Sequence, residues 1–160
     1  SLTLPTKGQI SVNHFPKKGL QGDAQFLSVL EKMGATITHS EEQTTVRMSQ
    51  EIQPLKNINL EDMPDAALNA IALSALARGK TKITGLQTLR HKECDRLEVM
   101  KQNLEKMGAK PKTTKDSFEI EGNPDILHGA DIECYDDHRI AMSFAILGSK
   151  VSGVNILDPK

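Results

Sequence analysis

Leu30-Glu31-Lys32-Met33-Gly34-Ala35 and Leu104-Glu105-Lys106-Met107-Gly108-Ala109 are the same six residues, 74 positions apart. In both places they close a helical pattern. Phe26, Val29, Leu30 and Met33 form one apolar stripe, and Leu97, Met100, Leu104 and Met107 form another. Gly34 and Gly108 stand where a glycine stops a helix by taking a left-handed conformation. Two short alternating runs follow each glycine. Thr36–His39 with Thr44–Met48, and Lys110–Thr113 with Ser117–Glu121, both predict hairpins.

The repetition continues outward. Asp65 through Ala77 is apolar nearly all round and predicts a buried helix, with Gly79 after it and a strand at Thr81–Thr84. Asp137 through Leu147 predicts a second such helix 72 positions on, followed by Gly148 and a strand at Val154–Leu157. The chain is therefore expected to hold two copies of a helix–hairpin–helix–strand unit, near residues 5–84 and 85–160. Buried helices over mixed sheets make an α/β (α+β) layer fold. Ahead of the first copy, Gln9–Val12 predicts a strand, Lys17-Lys18-Gly19 a turn, and Asp23 a helix cap. Nothing precedes that strand and the chain stops just past Leu157, so a domain cut from a longer protein is expected.

Bulk properties exclude several classes. One hundred and sixty residues suffice for one core. A net charge of −1 with 3% aromatic residues argues against a nucleic-acid surface. No apolar run approaches the roughly 18 residues of a membrane span, and there is no signal-peptide pattern, so neither nucleic acid nor membrane is an expected partner. Two cysteines, Cys94 and Cys134, are too few for a disulfide framework, and a reducing cytoplasmic setting follows.

Two stretches concentrate the chemistry: Arg90-His91-Lys92-Glu93-Cys94-Asp95-Arg96-Leu97 and Tyr135-Asp136-Asp137-His138-Arg139-Ile140-Ala141-Met142. Each runs into a helix, whose free N–H groups attract anions. Arg96 and Arg139 fall in first turns, where the macrodipole disfavours a cation by about 0.3–1 kcal/mol. A bound anion would offset that, so a phosphate or carboxylate site is expected. Structural roles compete. Asp95 with Glu98 matches a capping box, and Asp65 and Asp137 also stand where N-caps do. Capping leaves Lys92 and Glu93 unexplained. His91-x-x-Cys94 with Cys134-x-x-x-His138 has zinc-like spacings, but the halves lie far apart and two arginines would crowd a cation. Neither metal nor cofactor is expected.

Lys92 through Leu97 and Tyr135 through Met142 resemble the signature segments of the 5-enolpyruvylshikimate-3-phosphate (EPSP) synthase family. Leu20-Gln21-Gly22-Asp23, Met63-Pro64-Asp65-Ala66 and Ile156-Leu157-Asp158-Pro159 resemble it too, in the same order. The resemblance covers nearly the whole chain. It implies repeated βαβαββ units forming one lobe of a two-lobed enolpyruvyl transferase, with the active site in the cleft between lobes. The other lobe and a further lysine-bearing segment beyond Lys160 are implied to lie outside this chain, which is expected to be inactive alone.

By that resemblance the reaction moves the enolpyruvyl group of phosphoenolpyruvate to the 5-hydroxyl of shikimate 3-phosphate, a step of aromatic amino acid biosynthesis. Glu93 is implied to exchange the proton at C3. Asp65 would bind the acceptor hydroxyl and take its proton, and Lys92 would lie between that hydroxyl and the phosphate. Arg96 and Arg139 would clamp the carboxylate through planar forks, with His138 as a further donor. Partners are then the two substrates and the other lobe, in a monomer. Cys94 replaces the threonine or serine of many relatives, and Thr88 stands near a usual asparagine. Two alternatives remain: a lobe of the UDP-N-acetylglucosamine enolpyruvyl transferase, disfavoured by Lys92–Arg96, and a non-catalytic binding or assembly module.

Overall fold

The computed structural model describes residues 2–15, 22–40 and 42–158. The turn expected at Lys17-Lys18-Gly19 lies outside the described residues, as do the side chain of Asp23 and residues 159 and 160. After a short helix α1 (Thr3–Thr6) and strand β1 (Gln9–Asn13), one order of elements occurs twice. The first pass is α2 (Gly22–Lys32), β2 (Thr36–His39), β3 (Gln43–Arg47), β4 (Ile58–Asn59), α3 (Pro64–Leu76) and β5 (Gly79–Thr84). The second is α4 (Arg96–Lys106), β6 (Lys112–Thr113), β7 (Phe118–Gly122), β8 (Asp131–Glu133), α5 (His138–Gly148) and β9 (Asn155–Leu157).

The repeated hexapeptide does the same work in both passes. Gly34 N–H donates to Glu31 O and Ala35 N–H to Leu30 O, each at 2.9 Å. Gly108 and Ala109 repeat the pair on Glu105 and Leu104, each at 3.0 Å. These are the two bonds of a Schellman stop, and φ of 100° at Gly34 and 94° at Gly108 explains the glycines.

The strands form three sheets, ordered β1-β3-β2, β4-β5-β7-β6 and β8-β9. β2/β3 and β6/β7 are antiparallel hairpins, as expected. β4 with β5, and β8 with β9, are parallel pairs joined through α3 and α5. Mixed sheets carrying helices give the α/β class expected. The sheets, however, divide the chain where the sequence pattern does not. β4-α3-β5-α4-β6-β7 spans residues 58–122 and makes one four-stranded βαβαββ sheet, so a boundary near 84 falls inside it. A repeat reveals its period but not its phase; only the pairing of β5 with β7 shows where a unit begins.

α3 is the centre of the core. Pro64 opens it, five alanines favour it, and from Ala66 to Leu76 only Asn69 is not buried. Leu68, Ile71 and Leu73 are wholly buried, and each contributes on the order of 1.5–3 kcal/mol. Asp65 lies within its first turn, not at the N-cap, which is Met63. α3 and α5 pack side by side in register: Ser143 Oγ donates to Asn69 Oδ1 at 3.1 Å, one turn below an Asp65–Arg139 ion pair. No helix among the described residues is long and apolar enough to cross a membrane.

Candidate active site

Three helices begin at one place. α4 is capped by Asp95, whose Oδ1 accepts from Glu98 N–H at 3.1 Å. α5 is capped by Asp137, whose Oδ1 accepts from Arg139 N–H at 2.9 Å. The approach to α5 is sharp: Tyr135 and Asp136 have φ of 52° and 58°, and Asp137 N–H reaches back to Cys134 O at 3.0 Å. Two consecutive non-glycine residues in the left-handed region carry strain, which is characteristic of functional corners.

Arg96 is the hub where these starts meet. Its side chain is only 2% exposed. Nε donates to Asp137 Oδ2 at 2.6 Å, and Nη2 donates to Asp137 Oδ1 at 3.3 Å and Glu93 Oε2 at 2.6 Å. Nη1 donates to Asp65 Oδ1 at 2.9 Å. Asp65 also meets Arg139 Nη2 at 3.2 Å and Lys92 Nζ at 3.8 Å. Burial opposes the charge on Arg96, but hydrogen bonding and attraction from Asp137, then Glu93 and Asp65, outweigh it and raise the guanidinium pKa. Burial likewise pushes the fully buried Asp137 carboxyl up, while Arg96 and the N–H groups of Arg139 and Ile140 pull it down, and the net direction is downward.

The structure thus gathers Asp65, Lys92, Glu93, Arg96 and Arg139 from the expected set and adds Asp137. His138 is exposed at the first position of α5 and makes no hydrogen bond or ion pair with the others among the described residues. Arg96 departs from its expected place. Instead of pointing a free fork outward, it lies beneath the surface with four of its five N–H donors on carboxylates. The physical reason is Asp137, which caps α5 and also takes two donors of Arg96. Arg90 also escaped the sequence reading. It holds Asp95 Oδ2 at 2.8 Å, Thr113 Oγ1 at 2.9 Å and the Thr114 carbonyl, tying the Lys92–Glu93 segment to the β6–β7 turn. Nothing in the sequence links positions 90 and 113.

Burial and the Asp137 charge push the Cys94 thiol up to about 11, against Arg96, so it is not a thiolate at neutral pH. Cys94 and Cys134 are both free. Among the described residues no three His, Cys, Asp or Glu side chains group to hold a metal ion. A polar cleft of about 300 Å³ lies at the other end of α3, near Leu76, Arg78 and Lys150, away from the charged cluster.

The sequence profile of the EPSP synthase (3-phosphoshikimate 1-carboxyvinyltransferase) family matches residues 3–160. The chain belongs to the EPSP synthase family. Its curated relatives include the 3-phosphoshikimate 1-carboxyvinyltransferases of Syntrophobacter fumaroxidans and Methanoculleus marisnigri, each 37% identical over 153 residues. Each match takes in 96% of this chain but 36% of the relative. An EPSP synthase structure from Acinetobacter baumannii superposes with a TM-score of 0.82 at 28% identity, covering 99% of this chain and 39% of that one. The chain spans little more than a third of these EPSP synthases.

Proposed function

We propose that this chain supplies one wall of an EPSP synthase active site, the lobe on which phosphoenolpyruvate is held and its C3 proton exchanged. The observation that carries the reading is the cluster at the three helix starts: Asp65, Glu93 and Asp137 against Lys92, Arg96 and Arg139. Folding needs caps there, and Asp95 and Asp137 provide them; it does not need Lys92, Glu93, Asp65 and Arg139 on an open face.

Glu93 is half exposed and adjacent to both Lys92 and Arg96, placing a carboxyl beside an anion-binding surface. In this reading it exchanges the proton at C3 while Asp65 takes the proton of the attacking hydroxyl. Arg139 and Lys92, both partly exposed, meet the carboxylate and phosphate, with His138 a further donor from the rim. Arg96 orients Asp65 and Glu93 and reaches the ligand from below. Shikimate 3-phosphate and much of its pocket belong to the facing lobe, and the complete enzyme is a cytoplasmic monomer needing no cofactor.

Half a cleft cannot position both reactants. Alone, the chain should release phosphate from phosphoenolpyruvate and shikimate 3-phosphate at the background rate. Placed into the Syntrophobacter fumaroxidans enzyme in exchange for the matching segment, it should support turnover, and Glu93→Gln in that chimera should abolish most of it. A folded chimera that binds phosphoenolpyruvate yet releases no phosphate would favour the binding-module reading. One that turns over only with UDP-N-acetylglucosamine would favour the other transferase.

A further inference from the structure

Arg96 poses a problem for any ligand at this face. An anion coming from solvent meets a guanidinium that is 2% exposed and already surrounded by three carboxylates. The cluster is also balanced, with three acids facing three bases, so it presents no net positive charge to an incoming anion. One acid has to give way before Arg96 can act.

The three acids are not equally held. Asp137 is fully buried, takes two donors of Arg96, and caps α5 through the N–H of Arg139. Asp65 is tied to three cations, Arg96, Arg139 and Lys92. Glu93 is 51% exposed, lies outside any helix between His91 and the start of α4, and has Arg96 Nη2 as its one partner among the described residues. Its carboxylate is the group that solvent and a competing anion can reach.

We infer that Glu93 is a built-in stand-in for the substrate's carboxylate. An incoming carboxylate takes its place on Nη2 of Arg96, and Glu93 swings free beside the bound ligand. The exchange swaps one carboxylate for another on the same donor, so Arg96 stays satisfied throughout. It leaves the protein side of the cluster with three cations against Asp65 and Asp137, and it frees Glu93 only when a ligand is present. This rests on the reading above that phosphoenolpyruvate binds at this face.

Calorimetric titration of phosphoenolpyruvate into the chain and its Glu93→Gln and Glu93→Asp variants tests it, with inorganic phosphate as a probe that lacks a carboxylate. Glu93 is half exposed, so both variants should fold, and dispersed amide NMR spectra will verify that. Removing the competitor should tighten phosphoenolpyruvate binding about two- to fivefold in both variants, the range of a solvent-exposed charge pair. Glu93→Asp is decisive because it keeps the charge and shortens the reach. A general field effect would leave it like the wild type, whereas the exchange predicts tighter phosphoenolpyruvate binding with phosphate affinity unchanged. Wild-type binding with no gain in either variant overturns the exchange and leaves the functional reading standing. Failure of all three folded proteins to bind phosphoenolpyruvate overturns both.

Discussion

α3 and α5 occupy the same place in the two passes of the chain, yet their second residues carry opposite charge. Asp65 and Arg139 stand 74 positions apart, the period of the repeated hexapeptide, and so do Asn69 and Ser143. Because the helices pack in register, each residue touches its own counterpart: Asp65 with Arg139 at 3.2 Å and Asn69 with Ser143 at 3.1 Å. A repeat whose equivalent helices are neighbours brings equivalent positions together, and divergence at one position then creates an interaction across the pair. Met63 and Asp137 differ in the same way. Met63 opens α3 with no side-chain cap, whereas Asp137 caps α5 and anchors Arg96.

The strongest way to break this asymmetry is Arg96→Ala. It leaves Asp137 buried without its counter-charge and should cost about 3–5 kcal/mol, read as a lower denaturant midpoint. Arg96→Met with Asp137→Asn should recover part of the loss, since the charge is gone and the asparagine still caps α5. Acid offers the same break without mutation. The Asp137 carboxyl is depressed in the folded chain, so its contribution is complete above the unfolded value of about 3.9 and fades as pH falls through the lower folded one. Melting temperature followed downward from pH 5 should therefore drop more steeply in the wild type than in Asp137→Asn.

Arg139→Ala tests the other half of the comparison, through binding. Arg139 is partly exposed, so losing it should weaken phosphoenolpyruvate binding by about 1–2 kcal/mol in a titration. Arg139→Lys should restore only part, because a point charge lacks the planar fork. The smallest effect compares the two helix stops. Alanine at Gly34 would meet the movable end of Gln50 at 2.9 Å, but at Gly108 it would meet the Ile126 carbonyl oxygen at 2.7 Å. Both variants take on left-handed strain of about 1–2 kcal/mol, and Gly108→Ala should be the less stable by roughly a further 1 kcal/mol in parallel unfolding curves.

The period of the chain was legible because helix stripes and their glycine stops are local signals. So were both hairpins and both apolar helices. The phase was not, since β5 chooses its partner β7 across the intervening α4, a non-local pairing no window records. At the site, Lys92 and Glu93 stood out in the sequence because capping gives them no role, and the structure places them against Asp65 and Arg96. Asp137 did not, because its capping job is visible from its neighbours while its bond to Arg96 spans 41 positions. Arg90 was hidden for the same reason: besides Asp95, its partners Thr113 and Thr114 lie 23 and 24 positions away, at the end of β6 and just past it.

Three chain segments, around Asp65, Glu93–Arg96 and Asp137–Arg139, have to be in place before the carboxylate–guanidinium hub exists. No one of them can assemble it locally, and α3, the innermost element, carries one of its acids. The hub is therefore a late product of folding and an early casualty of unfolding that reaches any of its three helices. Amide exchange at the starts of α4 and α5 should then be faster than in the buried middle of α3, and anion binding should be lost before the chain unfolds globally.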